Sequence, residues 1–276
     1  MAWHAFLDLQ YTRSDDKTIA HFQHEGPLRI LHSLYPEGAA VCHNVLVHPP
    51  GGLVGGDTLE IQLRVREGAH ALVTTPGATR FYRSAGEAAA QTVHARLEEG
   101  ARLEWLPLEA LAYDQCRAEN KAVFELAPGA ELMAWDITAL GLPTAKLPFE
   151  QGSFLQHIEV PGVWREQGRI DASDLRLLNG PLGLAGQRCI ATLFFVSGAP
   201  MERQRREAAL DGVRALIDAH ALRPTAGATS PHPQVLVVRV LAPLVEPAME
   251  LLKALRANWR HTLWGMAPIV PRVWAT

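Results

Sequence analysis

The sequence predicts a mainly β fold, a β-solenoid-like stack of strand-turn-strand repeats with a small α-containing C-terminal part. The dipeptide Gly-Ala closes a strand-like run at Gly38, Gly68, Gly100 and Gly129, at spacings of 30, 32 and 29 residues. Counting back three, five and seven residues from the last three glycines gives Val65, Leu63, Ile61; Leu97, Ala95, Val93; and Leu126, Phe124, Ala122. All nine are apolar. Of the residues interleaved with them (Arg64, Gln62, Glu60; Arg96, His94, Thr92; Glu125, Val123, Lys121), only Val123 is not polar. A period of two marks a half-buried strand. A unit recurring about every 30 residues marks a stack whose neighbours bury a shared face.

Each unit turns on its glycine, and Gly68, Gly100 and Gly129 are expected to supply the positive φ of a tight turn. A second, more apolar strand then follows, over 69–75, 102–106 and 131–137. The repeat is clearest over 57–138, and the unit before it, "YPEGAAVCHNVLVH", fits loosely. After residue 150 the repeat fades, while "SFLQHIEV", "LRLL", "CIATLFFV" and "QVLVVRVL" read as strands and "RPTAGATSPHP" as a surface loop. Helices are expected over about 201–220, with Leu210, Val213 and Ile217 on one face, and about 244–264, with Val245, Met249, Leu252 and Trp259 ahead of Gly265. Trp259, Leu263 and Trp264 are candidate exposed anchors for a partner. No linker divides the chain, so 1–276 reads as a single domain.

Composition narrows the function. The chain has 276 residues, a net charge of −3 and 48% hydrophobic residues, which fits a packed core and offers no basic surplus for nucleic acid. No apolar run reaches the ~18 residues of a membrane span. The start lacks the charged and apolar regions of a secretory signal. Cys42, Cys116 and Cys189 are odd in number, far apart and outside any CxxC, which fits a reduced cytoplasmic protein.

The loop "HPPGGLVGGD" invites a nucleotide reading, which its details exclude. A P-loop needs Lys after its last glycine, and here Gly56 is followed by Asp57. Gly51, Gly52, Gly55 and Gly56 also miss the dinucleotide spacing, and a strand rather than a helix follows. These glycines are expected to make turns. In "TTPGATRFYRS", Thr74, Thr75, Arg80, Tyr82, Arg83 and Ser84 form a polar cluster that suits an anion or an ordinary solvated loop. The twelve histidines show no metal-site spacing, and Cys42 and His43 point to opposite faces of a strand.

The acids carry the sharper expectation. The second strands present Ala71, Val73; Leu103, Trp105; and Leu132, Ala134 on one face, and two residues further on lie Thr75, Pro107 and Asp136. Two more give Gly77, Glu109 and Thr138. If the phase survives, a greasy interior turns polar and carries carboxylates, which a water-filled passage would accommodate. If turns break it, the acids are exposed.

"LYPEGAAVCHNVLVHPPGGLVGGDTLEI", "ALVTTPGATRFYRS" and "LEWLPLEALAYD" resemble, in order and spacing, the urease accessory proteins of the UreD (UreH) family. "GVWREQGRI" and "LRLLNGPLG" extend the resemblance over most of 5–200. Leu108 departs from it, standing where the family tends to have Gln. The resemblance implies a non-enzymatic cytoplasmic scaffold with a β-solenoid fold. It implies binding to a UreF-like helical partner, recruitment of a UreG-like GTPase through it, and docking on apo-urease for nickel delivery. It implies no tightly bound cofactor, only nickel in transit, with Asp57, Glu109 and Asp136 as candidate lining of an internal passage. Two other classes stay open on the residues alone: a hydrolase pairing Glu109 with Asp114 or Asp136, and a passive β-stack binding module.

Overall fold

The period-two segments become two facing sheets. The computed structural model describes residues 2–275. The N-terminal strands are β1 (His4–Ser14), β2 (Lys17–Glu25), β3 (Arg29–Leu34), β4 (Val41–Val47) and the short β5 (Gly52–Leu53). The repeats supply β6 (Thr58–Val65), β7 (His70–Thr74), β8 (Thr79–Phe81), β9 (Ala89–Leu97), β10 (Arg102–Leu106), β11 (Ala110–Ala112), β12 (Cys116–Leu126) and β13 (Glu131–Leu140). Then come β14 (Gly152–Val160), β15 (Trp164–Asp171), β16 (Cys189–Ser197), β17 (Ala226–His232) and β18 (Val235–Ala242).

The first sheet has the order β15-β14-β12-β9-β6-β1-β2, and the second runs β17-β18-β16-β13-β10-β7-β4-β3, with β5, β8 and β11 at its side. Parallel neighbours β6, β9 and β12 in one sheet and β7, β10 and β13 in the other are successive coils of a solenoid of about four turns. The register follows the sequence repeat. Ile61 lies opposite Val93 and Val93 opposite Ala122, while Val73 lies opposite Trp105 and Trp105 opposite Ala134. Gly68, Gly100 and Gly129 take φ of +64°, +66° and +80°, and stack along one edge. A Cβ on Gly129 would come within 3.5 Å of the Gly100 nitrogen, so the column suits glycine by both space and φ.

Three α-helices accompany the sheets: α1 (Leu175–Asn179), α2 (Arg203–Asp218) and α3 (Val245–Trp264). The last two match the expected helices to within about two residues at each end. Two expectations need correction. "LRLL" is helical, because Asp174 caps it by accepting the Leu177 N–H at 2.9 Å, and four residues are too few for a period to distinguish helix from strand. "RPTAGATSPHP" is largely strand, since β18 offers a free edge that β17 fills, and its small residues Ala226 and Ala228 pack under α2.

Two cores result. One lies between the sheets and includes Ile61, Leu63, Val93, Trp105, Phe124, Ala134 and Phe194. The other lies on the outer face of the second sheet, where Leu72, Met133, Trp135 and Phe195 meet Val213, Leu252 and Trp259. Trp259, Leu263 and Trp264 are therefore buried rather than exposed anchors. Helix α3 turns its apolar stripe onto the sheet, and the indole N–H groups of Trp259 and Trp264 donate to the Ala209 carbonyl and to Glu131. Among the described residues no helix is long and apolar enough to cross a membrane.

Candidate functional site

The interior between the sheets changes character along each strand. On the second sheet the inward row through Val73, Trp105, Ala134 and Phe194 is apolar, and the next inward row contains Asp136, Thr192 and Arg239 and ends at Gly227. On the first sheet the matching polar row is Gln91, Asn120 and Gln156, ending at Gly168. The two rows face each other and meet at Asp136. The Asn120 amide donates to the Asp136 carboxylate at 2.9 Å and to the Gln156 carbonyl oxygen at 3.2 Å. Asn120 accepts in turn from Gln91 at 3.2 Å, and the Thr138 hydroxyl donates to Asp136 at 3.3 Å. A polar seam thus runs parallel to the solenoid axis across its last coils.

Asp136 is the seam's central carboxylate. Burial pushes its pKa up to about 7, against hydrogen bonds from Thr138 and Asn120, and the nearby Glu166 carboxylate adds to the rise. At neutral pH the group therefore exchanges readily between charged and neutral forms. One carboxylate among amides attracts a cation without enclosing it. Among the described residues no three His, Cys, Asp or Glu side chains converge as a metal-holding group.

The other expected acids lie elsewhere. Asp57 accepts the Trp3 N–H at 2.8 Å and the Val54 N–H at 3.0 Å, so its carboxylate closes the glycine-rich turn. Glu109 sits on the link between β10 and β11. Its backbone carbonyl accepts the Thr79 N–H at 2.9 Å, and burial, with Glu109, Glu246 and Asp136 adding, pushes the Cys189 thiol up to about 12. Asp114 caps a turn through the Glu150 and Gln151 N–H groups, both at 2.8 Å, and does not pair with Glu109.

The polar cluster after β7 does not converge either. Thr74 donates to the Leu106 carbonyl at 2.6 Å and accepts from the Trp274 indole at 2.8 Å, beneath the C-terminal residues. Thr75 is engaged with the backbone of Gly77 and Leu108, and Ser84 with that of Glu87 and Gly86. Tyr82 packs at a tilt against Tyr113, with ring centroids 4.9 Å apart, and Arg80 and Arg83 are exposed. Gly51, Thr75 and Arg80 line a shallow pocket of about 220 Å³. Gly52, Gly55 and Gly56 pack against Tyr82, Ser84 and Glu87.

A second polar constellation lies under α3. Glu104 is fully buried on the outer face of β10, 2.7 Å from Arg256, 3.1 Å from Arg260 and 3.3 Å from His70. Arg260 also meets Glu37, which His43 contacts at 2.8 Å. Burial raises the Glu104 carboxyl, but Arg256, His70 and Arg260 outweigh it and hold the group far below the usual carboxylate range. This layer ties the helix to the sheet.

Sequence reasoning reached Asp136 and missed most of its neighbours. One more step of the same count, nine residues back from Gly68, Gly100 and Gly129, gives Leu59, Gln91 and Asn120, so two of the amides were within reach. Arg256 and Arg260, four apart within the apolar stripe of α3, were a comparable sign of a buried acid.

Comparison with known proteins agrees with this architecture. The family described as UreD urease accessory protein matches residues 4–275. The chain is similar to the urease accessory protein UreD of Paracidovorax citrulli, 66% identical over 275 residues covering 100% of both chains. It is likewise similar to the UreD proteins of a Polaromonas species, at 64% over 275 residues, and of Variovorax paradoxus, at 62% over 276, again with 100% of both chains covered. A full-length match at this identity places the chain in the UreD family of urease accessory proteins, which are maturation factors and not enzymes.

Proposed function

We propose that this protein is a cytoplasmic scaffold of urease maturation, and that the polar seam is an internal passage for nickel on its way to apo-urease. In this reading it binds a UreF-like helical partner and recruits a UreG-like GTPase through it. The nucleotide chemistry then belongs to the GTPase, consistent with a glycine-rich loop that is built only as a turn.

The observation that carries the passage is Asp136 itself. A carboxylate placed between two apolar sheets costs stability unless the site is hydrated or serves a cation. Its amide surroundings continue the polar path from Gln91 to the end of the stack. A single carboxylate with a raised pKa suits a cargo that must leave again, since tight multidentate ligation would retain it.

Asp136→Ala is expected to slow nickel-dependent activation of apo-urease by about tenfold or more while the complex with its partners still assembles, as loss of one charged station in a low-dielectric path implies. Glu109→Ala is expected to leave activation near wild type. Activation rate, urease nickel content and co-purification together check this. Unimpaired activation by Asp136→Ala, with the complex intact, overturns the passage.

A further inference from the structure

Both polar rows reach the outermost strands at the C-terminal end of the solenoid, and both end in glycine. On the first sheet Gln156 pairs with Gly168 of β15, and on the second Arg239 pairs with Gly227 of β17. Both glycines are exposed, and a Cβ built on either would meet no atom within 4 Å. The seam therefore arrives at an end without side-chain walls in its own rows.

One contact spans that end. Glu166, on the inward face of β15, receives both terminal nitrogens of Arg239, on the inward face of β18. The pair bridges the two sheets. The Glu166 side chain is 20% exposed and that of Arg239 is 49% exposed, so the acid is on the seam side and the guanidinium reaches solvent. Arg239 lies two strands, about 10 Å, from Asp136 along the same row. Glu166 is near enough to raise the Asp136 pKa.

We infer that Arg239 is a charge plug at the C-terminal mouth of the seam, and that the carboxylate it covers, Glu166, is the last station for a divalent cation leaving by that mouth. The inference rests on the passage reading above and adds its regulation. While Arg239 sits on Glu166, the carboxylate is neutralised and a fixed positive charge repels a cation arriving from Asp136. A guanidinium half in water swings outward at little cost, as exposed ion pairs open easily. Once it has swung out, Glu166 faces the seam and Gly168 and Gly227 leave the way clear. An incoming cation and the arginine thus compete for the same carboxylate.

The test uses the purified accessory complex with apo-urease at limiting nickel, reading initial activation rate and the nickel and zinc contents of the urease. Arg239→Met is expected to raise the rate about three- to fivefold, in proportion to a half-exposed ion pair, and to raise the zinc fraction. Arg239→Lys, which keeps the charge, stays near wild type. Gly168→Leu fills the mouth and slows activation. Asp136→Ala is the reference arm. If Asp136→Ala is slow while Arg239→Met melts like wild type and activates no faster, the plug is wrong and the passage stands. If Asp136→Ala is unimpaired, the passage falls and the plug with it. Should Arg239→Met fail to fold, Gly168→Leu decides: slowed activation supports the mouth, and wild-type activation with normal melting overturns it.

Discussion

Asp136 shows what one side chain contributes when its environment works against its charge. In the unfolded chain it ionises near the ordinary aspartate value, and in the folded protein burial holds the pKa at about 7. Below about pH 4 the carboxyl is neutral in both states and has no effect. Between the two values the unfolded chain releases its proton while the folded protein keeps it, so stability falls as pH rises. Above about pH 7 the penalty is complete and constant. Asp136→Asn removes the charge and keeps the shape. It is expected to be more stable than wild type at pH 8 by on the order of 2 kcal/mol, with the gap shrinking toward zero near pH 4. Urea denaturation at several pH values checks this, and a gap independent of pH would count against it. Asp136 was legible because it continues a counted strand phase. Glu166 and Arg239 were not, because β15, β16 and β18 pair antiparallel and lie beyond the repeat that supplied the count.

At the scale of the element, the loop from His48 to Asp57 shows how a glycine-rich motif can be wholly structural. Asp57 gathers two backbone N–H groups. A Cβ on Gly55 would come 2.3 Å from the Ser84 hydroxyl and 2.9 Å from the Glu87 carbonyl oxygen. Gly56 has φ of +87° and would bring a Cβ 2.7 Å from the Glu87 carboxylate. The loop therefore needs glycine to lie against the next coil's loop. Gly55→Val is expected to destabilise the fold by about 2 kcal/mol or more, since the obstructing carbonyl is backbone and must move. Thermal melting measures that loss. Tight GTP binding by the wild-type chain alone would instead restore the nucleotide reading. The strands of the repeat were read correctly because alternation and stacking impose the same period on them. "LRLL" and "RPTAGATSPHP" were misread because a cap and a vacant sheet edge, both set by tertiary context, decide such short segments.

For the whole molecule, the question is what keeps the helical layer and the solenoid one cooperative unit. The second sheet is shared: its inner face packs on the first sheet and its outer face on α2 and α3. Apolar contact accounts for part of the join. The rest is the buried ionic layer, in which Glu104 of the central sheet and Glu37 of the N-terminal coil hold Arg256 and Arg260 of the last helix. Several of these contacts are close without being aligned, since Glu104 Oε1, His70 Nε2 and Arg260 Nε have no hydrogen-bond partner. Their value is mutual neutralisation in a dry interface, so removing Glu104 strands Arg256 and leaves Arg260 with Glu37 alone. Glu104→Gln is expected to cost about 3–5 kcal/mol, as breaking a buried ion pair from one side does. The cost falls on the join between layers. Wild type should then unfold in one transition, with tryptophan fluorescence and far-ultraviolet circular dichroism coincident. In Glu104→Gln the fluorescence of Trp135, Trp259, Trp264 and Trp274, all in the helical-side core, should change at lower urea than the β-sheet signal. Coincident transitions in the variant, or a loss below about 1 kcal/mol, would show that apolar packing alone joins the layers.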